Sequence, residues 1–194
     1  METWSYKFIK IFRMKIYSSR IKEVKVIEPQ LFTDNRGFFY EAFKQSFLNT
    51  SNILDIFVQD NISKSSRGTI RGLHYQKEQP QAKIVQCISG EILDVAVDVR
   101  AGSKTFGQYV AIKLSDINHK QLYIPEGFAH GFSVLSEEAI IYYKCSAYYN
   151  QESESGIRWD DPQIRINWGI DRPILSEKDR TYPLLESLIE KDLF

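Results

Sequence analysis

The stretch TIRGLHYQKEQPQAK, residues 69–83, holds one of the chain's three histidines, His74, between Arg71 and Lys83. Histidine, with an unperturbed pKa of about 6.5, takes and returns protons near neutral pH. Lysine and arginine stabilise an anion. A second histidine, His130, stands in IPEGFAHGF (124–132), and YYKCSAYYN (142–150) carries four tyrosines. A phenol stays protonated up to about pH 10, so it can act as an acid in a low-dielectric pocket. LSEKDR (175–180) adds Lys178 and Asp179. A base, an acid on the opposite wall and a cation between them are what proton exchange α to a carbonyl requires. An enolate forms, the cation holds its oxygen, and a proton returns to the other face. That chemistry needs no cofactor.

The same histidines raise a metal reading. PEGFAH has the Pro-x-Gly-x-x-His form of the second cupin motif, whose histidine binds metal in metal-dependent cupins. The partner motif requires His-x-His followed by a carboxylate. The run here is His74-Tyr75-Gln76-Lys77-Glu78, with glutamine in the place of the second histidine. The remaining set, His74, His130 and Glu78, would share its cup with Lys83. An ammonium beside a divalent cation is electrostatically unfavourable. The acid–base reading fits better, and no metal site is expected.

Strands must carry these residues. Short alternating segments dominate: VKVIE (24–28), FFYEAF (38–43), IFVQDNIS (56–63), TIRGLHY (69–75), AKIVQCIS (82–89), EILDVAVDVR (91–100), YVAIKLS (109–115), QLYIP (121–125), HGFSVLS (130–136) and AIIYYKCSAYY (139–149). TDNRG (33–37) reads as a turn. KQSFLNT (44–50) reads as a short helix, and the tail from about Pro183 to Lys191 also looks helical. The strands are too closely spaced for crossover helices, which excludes a doubly wound α/β fold. Turns at such spacing predict a sandwich or small barrel. Along EILDVAVDVR, Leu93, Val95, Val97 and Val99 share one face, while Asp94, Ala96, Asp98 and Arg100 share the other. Asp94 and Asp98 either line a polar cup or form a solvated sheet face, and the pattern leaves both open.

Bulk composition narrows the classes. The chain's 194 residues suit one domain. Twenty-five basic residues balance 25 acidic ones, which argues against a nucleic-acid or membrane-surface partner. No apolar run approaches a membrane span. Cys87 and Cys145 lie far apart without a Cys-x-x-Cys pattern, so they read as small core residues in a reducing cytoplasm. METWSYKFIKIFR, basic and aromatic but without an uninterrupted apolar core, is expected to be an extension (1–13) before a single domain (14–194).

Taken together, FVQDNISKSSRGTIRGLHYQ (57–76), QAKIVQCISGEILDVAVDVR (81–100), FGQYVAIKLS (106–115), QLYIPEGFAHGF (121–132) and LSEKD (175–179) resemble the dTDP-4-dehydrorhamnose 3,5-epimerase family. The match is ordered and runs from about Val26 to Leu185. The resemblance implies an all-β, cupin-type antiparallel jelly-roll barrel with a short C-terminal helical tail. It also implies a cofactorless enzyme, typically a homodimer. Such enzymes epimerise the nucleotide sugar dTDP-4-dehydro-6-deoxy-glucose at C3 and C5, toward dTDP-L-rhamnose.

Roles follow residue by residue from the resemblance. His74 matches the general base and Asp179 the carboxylate paired with it. Tyr143 matches the acid on the opposite face. Lys83 sits where the family polarises the C4 carbonyl. Arg71 and His130 match substrate contacts, Arg71 on the diphosphate side. Gln59 and Asn61 fall where the thymidine end is recognised. Arg36 and Glu41 match nucleotide-binding positions near the dimer interface. Glu154 and Lys178 match further substrate contacts, and Tyr148 is placed to stack on the base. Ala82, where many members have glycine, and Tyr75, for a frequent phenylalanine, are small departures. His74 and Lys83 are expected on adjacent strands facing one cup. Relatives in antibiotic-sugar pathways epimerise one carbon only. A metal-dependent cupin and a non-catalytic nucleotide-sugar binder are the rival readings, and the intact His, Lys, Tyr and Asp set argues against the binder.

Overall fold

The alternating segments fold into strands whose order builds two packed sheets. The structure, a computed structural model, describes residues 14–188 and 193–194. The extension read at 1–13 lies outside them, as do positions 189–191 of the expected helical tail. In chain order the strands are β1 (Lys15–Ser18), β2 (Lys25–Glu28), β3 (Phe32–Asp34), β4 (Gly37–Phe39), β5 (Gln59–Ser66), β6 (Ile70–Gln76) and β7 (Lys83–Ser89). They continue with β8 (Glu91–Asp98), β9 (Tyr109–Ser115), β10 (Gln121–Ile124), β11 (Phe128–Val134), β12 (Glu138–Cys145) and β13 (Glu154–Gly156). Helix α1 spans Gln45–Asn49 and α2 spans Glu177–Thr181. One sheet has the order β1-β2-β10-β7-β12-β5 and the other β13-β6-β11-β8-β9, with β3 and β4 forming a separate hairpin. The strand pairs within the two sheets are antiparallel. This is the jelly-roll barrel expected.

The core lies between the sheets. Val85, Leu122 and Ile141 from one meet Ile92, Ala96, Phe128 and Phe132 from the other. Removing each such side chain from water contributes about 1.5–3 kcal/mol. A second cluster covers the outside of the five-stranded sheet, where Leu73, Val95, Val97 and Ala129 pack under Ile157, Ile164, Trp168 and Leu185. Strand β8 is therefore buried on both faces. The solvated-face reading of its acids is overturned, since Asp94 and Asp98 are both fully buried. Only Asp94 turns toward the other polar groups of the interior. Asp98, at the strand end, caps the following turn by accepting hydrogen bonds from Arg100, Ser103 and Thr105.

Three expectations shift at element ends. FFYEAF leaves the sheet after Phe39, and the Ala42 carbonyl instead accepts from the Gln121 side chain at 2.7 Å. AIIYYKCSAYY stops at Cys145. The helical tail is α2 plus one 3-10 turn at Leu185–Ser187, so helix begins before Pro183 rather than at it. Proline disfavours helical geometry in the residue before it, and Tyr182 is extended, with ψ 148°.

Glycine sets the approach of β6 to β11. Gly72 has φ +107°, and a Cβ there would fall 2.5 Å from the His130 carbonyl oxygen and 2.6 Å from the Gly131 Cα. No larger residue fits. The close crossing leaves His74 directly opposite His130 in the ladder.

Candidate active site

His74 lies on β6, and its acid partner arrives from the far end of the chain. Ser176 caps α2, accepting from the Asp179 N–H at 3.1 Å while its hydroxyl donates to Asp179 Oδ2 at 2.7 Å. That fixes Asp179 Oδ1 at 2.5 Å from His74 Nε2, with the Gly72 N–H at 3.4 Å. Burial pushes the Asp179 carboxyl up, but the hydrogen bonds from His74, Ser176 and Gly72 outweigh it and hold the group below the usual carboxylate range. An ionised carboxylate only accepts, so Nε2 donates to it, and in the neutral ring the lone pair falls on Nδ1. Nδ1 lies 3.9 Å from Glu154 Oε1. The Tyr182 ring packs on the imidazole at 5.5 Å between centroids.

The opposite wall comes from the six-stranded sheet. Side chains two apart share a strand face. Tyr143 pairs across the ladder with Asn61, and Cys145 pairs with Gln59 and Lys83, so these five belong to one face. Together with His74, Gln76 and Glu154 they line a cleft of about 320 Å³. Burial raises the Tyr143 phenol above its ordinary value, which keeps it protonated. Burial pulls the Lys83 ammonium below its ordinary value, against nearby Cys145, Glu154 and Asp94. His74 and Lys83 are not on adjacent strands, contrary to the sequence reading. β6 and β7 belong to different sheets, so the two side chains face each other across the barrel. This places the imidazole and the ammonium on opposite walls.

Glu154 leaves β13, opposite Gln76 in register. Its Oε2 accepts from the Tyr149 hydroxyl at 2.6 Å and from the Lys178 ammonium. Burial pushes the Glu154 carboxyl up, but these two donors hold it below the usual range. His130 is buried beside His74, with Nε2 2.8 Å from Asp94 Oδ1. Burial lowers its pKa despite Asp94.

Other expected residues stand apart from the cleft. Arg71 is exposed, donates through Nε to Ser65 Oγ at 3.0 Å, and tempers the rise of the Tyr143 phenol. Arg36 pairs with Asp34 on the β3–β4 hairpin, beside a separate cleft lined by Phe32, Phe38 and Phe39. Glu41 pairs with Lys44. Tyr148 turns away, and its neighbour Tyr149 lines the cleft instead. The sequence reading missed Tyr75, Gln76, Gln81 and Cys145 as lining residues. The signal for two of them was available, since Gln76 and Cys145 each follow a named residue by two positions along a strand. Among the described residues no three His, Cys, Asp or Glu side chains are placed to hold a metal ion.

Comparison with known proteins places this geometry. The family model for dTDP-4-dehydrorhamnose 3,5-epimerase matches residues 18–187. A dTDP-4-dehydrorhamnose 3,5-epimerase from Methanothermobacter thermautotrophicus is 51% identical over 166 residues, 84% of this chain and 90% of the relative. The crystal structure of a Legionella pneumophila dTDP-6-deoxy-D-glucose-3,5-epimerase in complex with dTDP-4-keto-L-rhamnose superposes with a TM-score of 0.91 at 48% identity, covering 93% of this chain and 97% of that one. ChmJ, a 3'-monoepimerase from Streptomyces bikiniensis solved with dTDP-quinovose, gives 0.82 at 32% identity, over 88% of each chain. With half of its residues shared over nearly the whole fold, this chain belongs to the dTDP-4-dehydrorhamnose 3,5-epimerase family.

Proposed function

We propose that the cleft epimerises dTDP-4-dehydro-6-deoxy-D-glucose at C3 and C5, giving dTDP-4-dehydro-L-rhamnose. The observation that carries this reading is His74 on one sheet, paired with Asp179 from α2, facing the protonated Tyr143 on the other sheet. His74 Nδ1 takes the proton from a carbon next to the C4 ketone. Asp179 steadies the imidazolium that results. Lys83 holds the enolate oxygen, where charge develops. Tyr143 then delivers a proton to the opposite face, which inverts the carbon. C3 and C5 both flank the ketone, so both protons are acidified by the same carbonyl.

Gln59 and Asn61 supply the donors and acceptors that the edge of a thymine requires. Lys178, Arg71 and His130 serve the sugar and diphosphate, and Tyr149 takes the stacking role first read at Tyr148. Arg36 and Glu41 lie away from the cleft, and Arg36 stands beside the exposed Phe32, Phe38 and Phe39. This supports a homodimer in which the hairpin meets a second copy. Two free, buried thiols suit the cytoplasm. Among the described residues no helix is long and apolar enough to cross a membrane.

A second reading, inversion of one carbon only, is favoured by the likeness to a 3'-monoepimerase. Incubation of chelator-treated protein with the 4-keto sugar nucleotide in deuterated water, followed by NMR, separates the two. Deuterium at both C3 and C5 with inverted product is expected. Label at one carbon would establish the monoepimerase, and none at either would overturn the epimerase reading.

A further inference from the structure

We propose that Gln76 is a positioning residue that sets the nucleotide-binding side of the cleft, acting through the loop that carries Tyr149. The inference rests on the epimerase reading above. Gln76 follows His74 by two positions on β6, so it faces the same cleft. It is only 3% exposed, and a buried amide must be paired. Its partners all lie on two loops. Nε2 donates to the Gln79 carbonyl at 3.0 Å and to the Tyr148 carbonyl at 3.2 Å. Oε1 accepts from the Asn150 N–H at 2.9 Å. One side chain thus ties the turn after β6 to the loop after β12.

The tie has a clear target. Tyr149 lies between the two positions that Gln76 grips. Its own N–H donates to Gln59 Oε1 at 2.9 Å, and its hydroxyl donates to Glu154. The Asn150 side chain accepts from the Glu152 N–H at 3.0 Å, starting the 3-10 turn that leads into Glu154. Gln76 therefore fixes Tyr149, Gln59 and Glu154 relative to one another, while the His74–Asp179 pair is held separately by α2. A glutamine at this place turns the cup from gathering ligands to holding a loop: both of its donors are spent on carbonyls.

The split between the two supports gives the test. Gln76→Met keeps the length of the side chain and removes every hydrogen bond. Gln76→Glu keeps the acceptor for Asn150 but sets oxygen against two carbonyls. In both variants KM for the sugar nucleotide and Kd for dTDP, by calorimetry, should rise about tenfold, with kcat within threefold of wild type. The acid limb of the kcat pH profile should not move. In Gln76→Glu, dTDP affinity should recover as falling pH protonates the introduced carboxyl and restores a donor. Unchanged dTDP affinity, or a fall in kcat with KM constant, would overturn the proposal while leaving the epimerase reading intact. So would failure of both variants to fold, because a residue that only places one loop is dispensable to the barrel. Wild-type protein that binds dTDP without turning over the sugar would sink the epimerase reading instead.

Discussion

Two histidine–carboxylate pairs sit side by side at the β6–β11 crossing, and they differ in almost everything except composition. His74 reaches the cleft with its side chain 30% exposed, while the His130 side chain is 10% exposed and its partner Asp94 is fully buried. Asp179 comes from a helix and is satisfied by three donors. Asp94 comes from the middle of a strand, and its Oδ2 has no hydrogen-bond partner among the described residues. The same two residue types therefore leave one imidazole open to the cleft and hold the other in a buried polar contact. What decides is whether the imidazole has a free nitrogen facing open space.

The largest contrast should appear when the two histidines are removed in turn. His74→Ala should lower kcat by about 10³, within the range for loss of a general base, with little change in melting temperature. A variant that kept wild-type turnover would remove His74 from the mechanism. His130→Ala should add a stability cost that His74→Ala lacks: breaking a buried pair costs about 3 kcal/mol or more, read by urea unfolding, because Asp94 is left alone. A variant as stable as wild type would mean that the buried pair carries no structural role.

Lys83 sharpens the comparison, since its charge opposes protonation of His130. Burial sets the Lys83 pKa below its ordinary value and the Tyr143 pKa above its own. The two shifts act in opposite senses, and the expected outcome is an alkaline limb of kcat/KM set by loss of the Lys83 proton. Lys83→Arg, which stays charged, should move that limb to higher pH even if the rate falls. An unmoved limb would assign it to Tyr143.

Much of this site was legible because strands alternate with period two and because the charged groups stand within ordered motifs. His74, Lys83 and Tyr143 line one cleft, and the buried Asp179 hydrogen-bonds His74. Sheet membership was not legible. Nothing local in KEQPQA tells whether the chain folds back beside β6 or crosses to the other sheet, and it crosses. Tyr148 and Tyr149 were hard to separate for a related reason. They follow the end of β12, where the alternation no longer fixes which side chain faces inward, and side-chain bonds from Gln76 and Gln59 decide instead. The three-residue β13, which delivers Glu154, is too short to leave a periodic signal.

The distance along the chain between the members of the working dyad has its own consequence. His74 and Asp179 are separated by 105 positions, and the segment between Gly68 and Asp179 closes by a zipper of contacts along β6: Thr69 bridges Ile174, the Ile70 N–H reaches the Ile174 carbonyl, and the Gly72 N–H reaches Asp179. Contacts of such long range are late rewards in folding, since the loop entropy must be spent first. Asp179 is thus expected to reach His74 late in folding. A chain still emerging from the ribosome carries His74 before Asp179 exists to meet it, so the proposed proton-transfer pair can form only once most of the chain has been made.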